Sequence, residues 1–159
     1  MRVYGCHLDD PRPATQAVED QLEKEKQFGL LDLKTYRDFQ TRVDKIMNGL
    51  LTFLIEKKRN GKLVVAYGAA AKGNTLLNYA GIKPDLLPYV CDAAPSKQGK
   101  YLPGSHIPIF LPEYIKETKP DYVLILPWNI AGEVKEELSF ISAWEGKFVI
   151  GIPKMHICQ

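Results

Sequence analysis

From Lys62 onward the chain alternates short apolar runs with helical stretches, and this alternation limits the available folds more than any other feature. The runs are Leu63–Tyr67, Leu87–Cys91, Ile107–Phe110, Asp121–Leu126 and Lys147–Ile152. Between them, helices are expected at Lys72–Tyr79, closed by Gly81 and Pro84, at Pro112–Thr118 with proline in the first turn, and at Ala131–Phe140. Met155–Ile157 either extends the fifth strand or forms a tail strand. Buried strands that alternate with helices give a parallel sheet covered on both faces, with right-handed crossovers. The expected fold class is therefore α/β: a Rossmann-like, mostly parallel five-stranded sheet from about residue 62, preceded by one or two N-terminal helices.

The first 60 residues have a different pattern. Arg2–Cys6 reads as a short strand or extended arm, ended by Asp9-Asp10-Pro11-Arg12-Pro13. Ala14–Phe28 is helical in propensity, but its apolar stripe is thin (Ala14, Val18, Leu22), and Gly29 ends it. It is either a solvated surface helix or a connector that docks on a neighbouring domain. Lys34–Asn60 carries the most regular stripe, with Tyr36, Phe39, Val43, Ile46, Leu50 and Leu54 at intervals of three or four. Asp32 serves as its cap, Lys57-Lys58-Arg59 form its basic last turn, and Asn60-Gly61 closes it. The expected division is an N-terminal arm and connector helix over 1–33 and a Rossmann-like domain over 34–159.

Composition narrows the function classes. With 21 Lys and Arg against 19 Asp and Glu, the net charge of +2 gives no basis for nucleic-acid or anionic-membrane binding. Apolar runs such as Tyr122–Trp128 are far below bilayer length, and the N-terminus shows no secretory h-region. Cys6, Cys91 and Cys158 are odd in number, far apart and outside any CxxC or Cys/His cluster. They fit reduced thiols in a cytoplasm and argue against a structural zinc site, so no metal is expected.

In an open α/β sheet, ligands bind beyond the carboxyl ends of the strands, where strand order reverses. Three segments are expected there: Gly68–Asn74, Asp92–Tyr101 and Pro127–Asn129. The run Gly68-Ala69-Ala70-Ala71-Lys72-Gly73-Asn74 joins a buried strand to a helix through small residues. Such a turn lets a ligand approach the backbone, and the new helix offers free N–H groups to an anion, most often a phosphate. Lys72 adds a full positive charge, and Asn74 is either a phosphate donor or a local cap. The run is neither the dinucleotide pattern G-x-G-x-x-G nor a P-loop.

Asp92 stands at the end of strand two, where a ribose-binding acid often lies. The loop Lys97–His106 is rich in Pro and Gly; its Lys97, Lys100 and Tyr101 have the chemistry to hold a diphosphate and stack on a base or sugar, or are scattered surface groups. Trp128 is either a pocket wall or a core plug, and Asn129 a cap for the next helix. No nucleophile elbow, histidine triad or carboxylate pair is present, so the catalytic residues are unassigned. The residues describe a nucleotide- or phosphate-binding module more readily than a complete catalyst.

Several separated motifs resemble one family. They are Tyr36-Arg37-Asp38-Phe39-Gln40-Thr41-Arg42-Val43, the run from Tyr67 to Asn78, Lys97-Gln98-Gly99-Lys100-Tyr101-Leu102-Pro103-Gly104, Ile107-Pro108-Ile109 and Pro120–Asn129. In this order, and over nearly the whole chain, they resemble the C-terminal domain of sugar C-methyltransferases that depend on S-adenosylmethionine. The resemblance implies a three-part enzyme: a cysteine-rich zinc part, a middle part that binds S-adenosylmethionine and carries the acid and base, and a C-terminal Rossmann-like part. That last part would help to close the site over a nucleotide-linked deoxysugar. The implied reaction abstracts a proton beside a keto group and then transfers a methyl group to that carbon.

This chain matches only the C-terminal part, so it is expected to be an excised domain or to work with parts on another chain. It should bind a dTDP-type sugar weakly, hold no cofactor alone and not turn over alone. Its partners would be the nucleotide-sugar and the methyltransferase part that binds S-adenosylmethionine. Gly68, Ala69, Lys72, Gly73, Asn74, Asp92, Lys97, Tyr101, Trp128 and Asn129 would line the crevice. The alternative is a stand-alone NAD- or CoA-type nucleotide-binding regulator or interaction module, in which Asp92 grips a ribose.

Overall fold

The computed structural model describes residues 2–158; residues 1 and 159, the outer ends of the two expected domains, lie outside the described residues. The chain divides into two compact units, Met1–Thr41 and Arg42–Gln159.

The N-terminal unit holds α1 (Gln16–Phe28) and α2 (Leu33–Arg37). Residues 2–6 form no regular element. Helix α1 stops at Gly29, whose φ of 85° lets its N–H return to the carbonyls of Glu25 and Lys26, a left-handed closure that costs glycine no Cβ clash. Asp32 caps α2, with Oδ1 accepting from the Lys34 N–H at 2.8 Å. No residue of either helix is buried, as a thin apolar stripe dictates.

The long helix expected over Lys34–Asn60 is broken. Asp38 follows α2 with ψ −8°, and α3 then runs Phe39–Arg59. A short carboxylate competes for nearby backbone groups and disfavours a helix interior. The apolar spacing runs straight across Asp38 and so gives no sign of the interruption.

The C-terminal unit is the α/β domain. Its strands are β1 (Val64–Tyr67), β2 (Val90–Cys91), β3 (Ile109–Phe110), β4 (Tyr122–Ile125), β5 (Lys147–Ile150) and β6 (His156–Cys158). Helices α4 (Ala71–Tyr79), α5 (Tyr114–Thr118) and α6 (Ala131–Glu137) alternate with them, and 3₁₀ turns occupy Trp128–Ile130 and Ser139–Trp144. The sheet order is β3-β2-β1-β4-β5-β6. The five expected strands are parallel, with Val64 level with Tyr122 and Ala66 level with Val90. The tail forms the sixth, antiparallel to β5 with Val149 opposite Ile157. Strand order reverses between β1 and β4, and this switch point sets the place of a ligand crevice.

Alternate residues of the strands face two cores, which is why their sequences are apolar throughout. Val64, Ala66 and Leu124 pack with Leu50, Phe53 and Leu54 of α3 and Leu77 of α4. Val65, Tyr67, Val123 and Ile125 pack on the other face with Ile115, Val134, Leu138 and Ile141. Each fully buried leucine or isoleucine here contributes about 1.5–3 kcal/mol.

Each of the five parallel strands is shorter than its apolar run, and β2 and β3 keep only two residues each. Leu86 and Leu87 send their N–H groups to the Lys83 carbonyl in a turn, and Pro88 has no N–H to give, so β2 begins only at Val90. Beside β3 the chain folds back as a hairpin. The Gly99 N–H bonds the Ile109 carbonyl at 2.9 Å, the Ile109 N–H bonds the Lys100 carbonyl at 2.8 Å, and Leu102 N–H bonds Ile107. Tyr101 lies opposite Pro108 in an antiparallel bridge. Much of the loop expected over Ala93–His106 is thus an arm that covers the outer edge of β3, which would otherwise present unpaired backbone groups. Among the described residues, no helix is long and apolar enough to cross a membrane.

Candidate functional site

The turn after β1 is built by what it lacks. Gly68 has φ 93°, and a Cβ there would lie 2.4 Å from Cδ of Pro127, in the loop after β4. At Gly73 a Cβ would fall 2.6 Å from Cβ of Leu126. Both glycines therefore let the β1 turn and the first turn of α4 lie directly against the end of β4. The direction in which a side chain would project from each glycine is occupied by Pro127 and Leu126.

The N–H groups of the turn itself are used. Gly68 N–H bonds the Cys91 carbonyl at 2.7 Å and Ala70 N–H the Gly68 carbonyl at 2.9 Å. Ala69 N–H bonds Oδ2 of Asp92 at 2.7 Å. Helix α4 then begins with Ala70 as N-cap and no side-chain cap. The first-turn N–H groups of a helix have no acceptor within it, and Ala70 has no side-chain oxygen to supply one. Those of Ala71, Lys72 and Gly73 carry the positive end of the helix dipole.

Lys72 reaches across the switch point from this turn. Its Nζ lies 2.5 Å from Oδ1 of Asn129 and 4.9 Å from the centroid of the Trp128 ring. Trp128 and Asn129 belong to the 3₁₀ turn that follows β4 and Pro127. Trp128 is only half-buried and Asn129 is exposed, so this is a cluster of a cation, an amide and an aromatic face open to solvent. A cation over an exposed ring contributes about 0.5–1 kcal/mol, enough to orient Lys72 without sequestering it.

On the β2 side the polar groups are turned inward. Asp92 is 7% exposed. Its Oδ2 accepts from Ala69 N–H and from Nζ of Lys97 at 3.0 Å, and its Oδ1 accepts from Ala94 N–H at 2.8 Å. Gln98 Nε2 donates to the Asp92 carbonyl at 3.0 Å. Next to it on β2, Cys91 faces the core, and burial pushes its thiol up to about 12, with a smaller push from Glu113. Tyr67, at the end of β1, donates to Oε1 of Glu137 at 2.7 Å, and burial followed by that carboxylate raises its phenol.

The remaining expected residues separate. Asn74 is half-buried, and its Oδ1 accepts from Nδ2 of Asn78 at 3.1 Å. Asn78 also donates to the Pro103 carbonyl at 2.9 Å, and Lys83 Nζ donates to the Gly104 carbonyl at 2.6 Å. These contacts pin the hairpin arm to α4. Tyr101 is 65% exposed on that arm, beyond β3 and β2 from β1. Three strand spacings, roughly 14 Å, separate it from the β1 turn. The structure thus brings Gly68, Lys72, Gly73, Trp128 and Asn129 together at the switch point. It places Ala69, Asp92 and Lys97 beside them as one bonded group, and leaves Tyr101 apart.

Asn78 lies outside the three segments expected at the switch point; its signal was a spacing of one helical turn from Asn74. Gln98 and Pro127 lie inside those segments but were not among the expected lining residues, because their contacts, to the Asp92 carbonyl and against Gly68, depend on the fold.

A family model described as C-methyltransferase C-terminal domain matches residues 1–153. The C-methyltransferase NovU of Streptomyces niveus is 34% identical over 155 residues, which are 98% of this chain and 37% of that protein. The chain thus spans little more than a third of the length of the curated relative it matches. Among solved structures, the UDP-D-quinovosamine 4-dehydrogenase from Vibrio fischeri superposes with a TM-score of 0.43 at 22% identity, covering 58% of this chain and 79% of that one. With the family model covering almost its whole length and a C-methyltransferase aligned to nearly all of it, this chain belongs to the C-methyltransferase C-terminal domain family.

Proposed function

We propose that this chain is the substrate-holding part of a sugar C-methyltransferase dependent on S-adenosylmethionine, and that it binds a nucleotide-linked deoxysugar at the β1/β4 switch point. The observation that carries this reading is the convergence of Lys72, Trp128 and Asn129 on the uncapped N-terminus of α4. A diphosphate there would meet the first-turn N–H groups and the Lys72 ammonium, while the Trp128 face and the Asn129 amide would orient the attached base or sugar. Asn74 would stand at the inner edge of that anion site, and Tyr101 would act only on a part of the ligand that extends over β3.

S-adenosylmethionine would supply the methyl group from a part of the enzyme outside this chain. The residues here do not fit it. The turn lacks the glycine pattern of such a site, and the acid that would take a ribose, Asp92, already accepts from three donors. The same saturation speaks against the alternative of an adenine dinucleotide regulator. The chain therefore binds and orients; the proton abstraction and methyl transfer belong to the complete enzyme.

Calorimetry with dTDP-glucose, UDP-glucose and NAD tests the reading. It predicts weak binding of a nucleotide-sugar, stronger than binding of NAD and weakened about tenfold by Lys72→Met. A folded sample that gives no heat with either nucleotide-sugar, or that prefers NAD, would overturn it.

A further inference from the structure

We propose that Asp92 is a positioning residue: it fixes the Gly68–Ala70 turn through the Ala69 N–H, and so sets the aim of the first turn of α4, without touching the ligand. For its bearing on a ligand this inference rests on the crevice proposed above; for its bearing on the turn it stands alone.

The turn needs an external lock. Gly68 sits at φ 93°, and a glycine passes between positive and negative φ without a Cβ penalty. The Gly68–Ala69 peptide can therefore rotate unless something holds it. Gly68 N–H is held by the β2 ladder and Ala70 N–H by the Gly68 carbonyl. The Ala69 N–H between them has a single acceptor, Oδ2 of Asp92 at 2.7 Å. Ala69 is half-buried, so losing that acceptor strands a donor.

Asp92 is itself held rigidly. Its Oδ1 accepts from Ala94 N–H, its carbonyl from Gln98, and Lys97 adds a second donor at Oδ2. Each oxygen thus faces N–H donors from a different part of the chain: the β1 turn, the β2 loop and a lysine side chain. A carboxylate, which only accepts, is the one group of this size that satisfies all of them; an amide would turn its own N–H₂ against at least one. The acid at the end of β2 thus serves the protein and not a ribose.

Asp92→Leu keeps the branched shape and removes both acceptor oxygens, whereas Asp92→Asn could turn its remaining oxygen to Ala69 and Lys97 and keep the bond under test. Amide hydrogen exchange by NMR on the full chain reads the turn directly, with the β4 amides Val123–Ile125 as the measure of an intact sheet. With β4 protection unchanged, Ala69 to Gly73 should exchange about tenfold faster, and affinity for dTDP-glucose should fall about tenfold, the loss of one charge-assisted bond. Lys97→Met, which leaves the Ala69 bond in place, should change Ala69 exchange less than about twofold.

Unchanged exchange over 69–73 in folded Asp92→Leu overturns the proposal. So does a Lys97→Met variant that reproduces the whole effect, since the agent would then be Lys97. If Asp92→Leu fails to fold, Asp92→Glu gives the same reading, because it keeps the charge but displaces both oxygens by one methylene. Wild-type protein that binds no dTDP-glucose defeats the crevice reading, while the exchange data still decide the role of Asp92.

Discussion

The two sides of the β1/β4 switch point are made from similar residues and behave differently. On the β4 side, Lys72 meets Asn129 and Trp128 at the surface, with its ammonium over a half-exposed ring. On the β2 side, Lys97 meets Asp92, whose carboxylate is buried and bonded to backbone from two loops. Each side has a lysine reaching a polar residue across a strand end. The difference lies in desolvation. A buried carboxylate must have its acceptors filled by the protein itself, whereas an exposed lysine–amide contact exchanges readily for an anion, because water already competes for both groups. The open side leaves its ammonium and amide in reach of solvent; the closed side has its carboxylate oxygens filled by the protein itself.

This contrast can be broken at several points, and the largest effect is expected at the hinge between the sides. Gly68→Ala must place a Cβ into Pro127 at an unfavourable φ. It should cost about 3 kcal/mol in urea unfolding, combining left-handed strain with overpacking. A loss below about 1 kcal/mol would mean that Pro127 yields easily and that the turn is not wedged.

Lys72→Met should leave stability within about 0.5 kcal/mol, since the site is exposed. It should weaken dTDP-glucose binding about tenfold in calorimetry. Equal loss in stability and binding would make Lys72 structural, and the two sides would then be alike.

The closed side also has a pH signature. Burial raises the Cys91 thiol from 9.0 to about 12 and the Tyr89 phenol from 10.0 to about 12. Both groups are neutral when protonated, so the folded state holds these protons more tightly than the unfolded chain. Their contribution is complete below about pH 9 and is lost as pH rises from 9 toward 12, because the unfolded chain binds fewer protons there. The urea midpoint should fall between pH 8 and about 10.5. A flat midpoint would show that the β2 core face admits water.

The smallest effect is expected at Tyr101. Tyr101→Ala, on the exposed outer arm, should change dTDP-glucose affinity less than about twofold. A tenfold loss would extend the site across β3 and join regions that the fold separates.

Much of this was legible in the sequence. The runs Leu63–Tyr67, Asp121–Leu126 and Lys147–Ile152 gave the central parallel strands, because residues that face two cores leave no polar alternation. The turn Gly68–Asn74 could be located because small residues followed by a helix have few other uses. The hairpin over 99–109 was not legible: its backbone bonds do not depend on side-chain type, and its Pro and Gly content reads as loop. Nor was the break at Asp38, which the apolar spacing crosses without interruption.

The sequence by itself determined the α/β class, the order of the strands along the chain and the place of the β1 turn, since periodicity and glycine spacing are local properties. It also carried the family, through motifs spread from Tyr36 to Asn129. Only the tertiary structure decided which partners the polar residues meet. Asp92 and Lys72 both precede small-residue or loop segments at strand ends, and nothing local separates a ribose-binding acid from a structural one. The distinction appears when Ala69, Ala94 and Lys97 converge on one carboxylate while Trp128 and Asn129, more than 50 residues from Lys72 in the chain, come to meet its ammonium. Burial and partner geometry are sums over the whole fold, and those sums divide the switch point into one side whose polar groups are filled and one side left open to solvent.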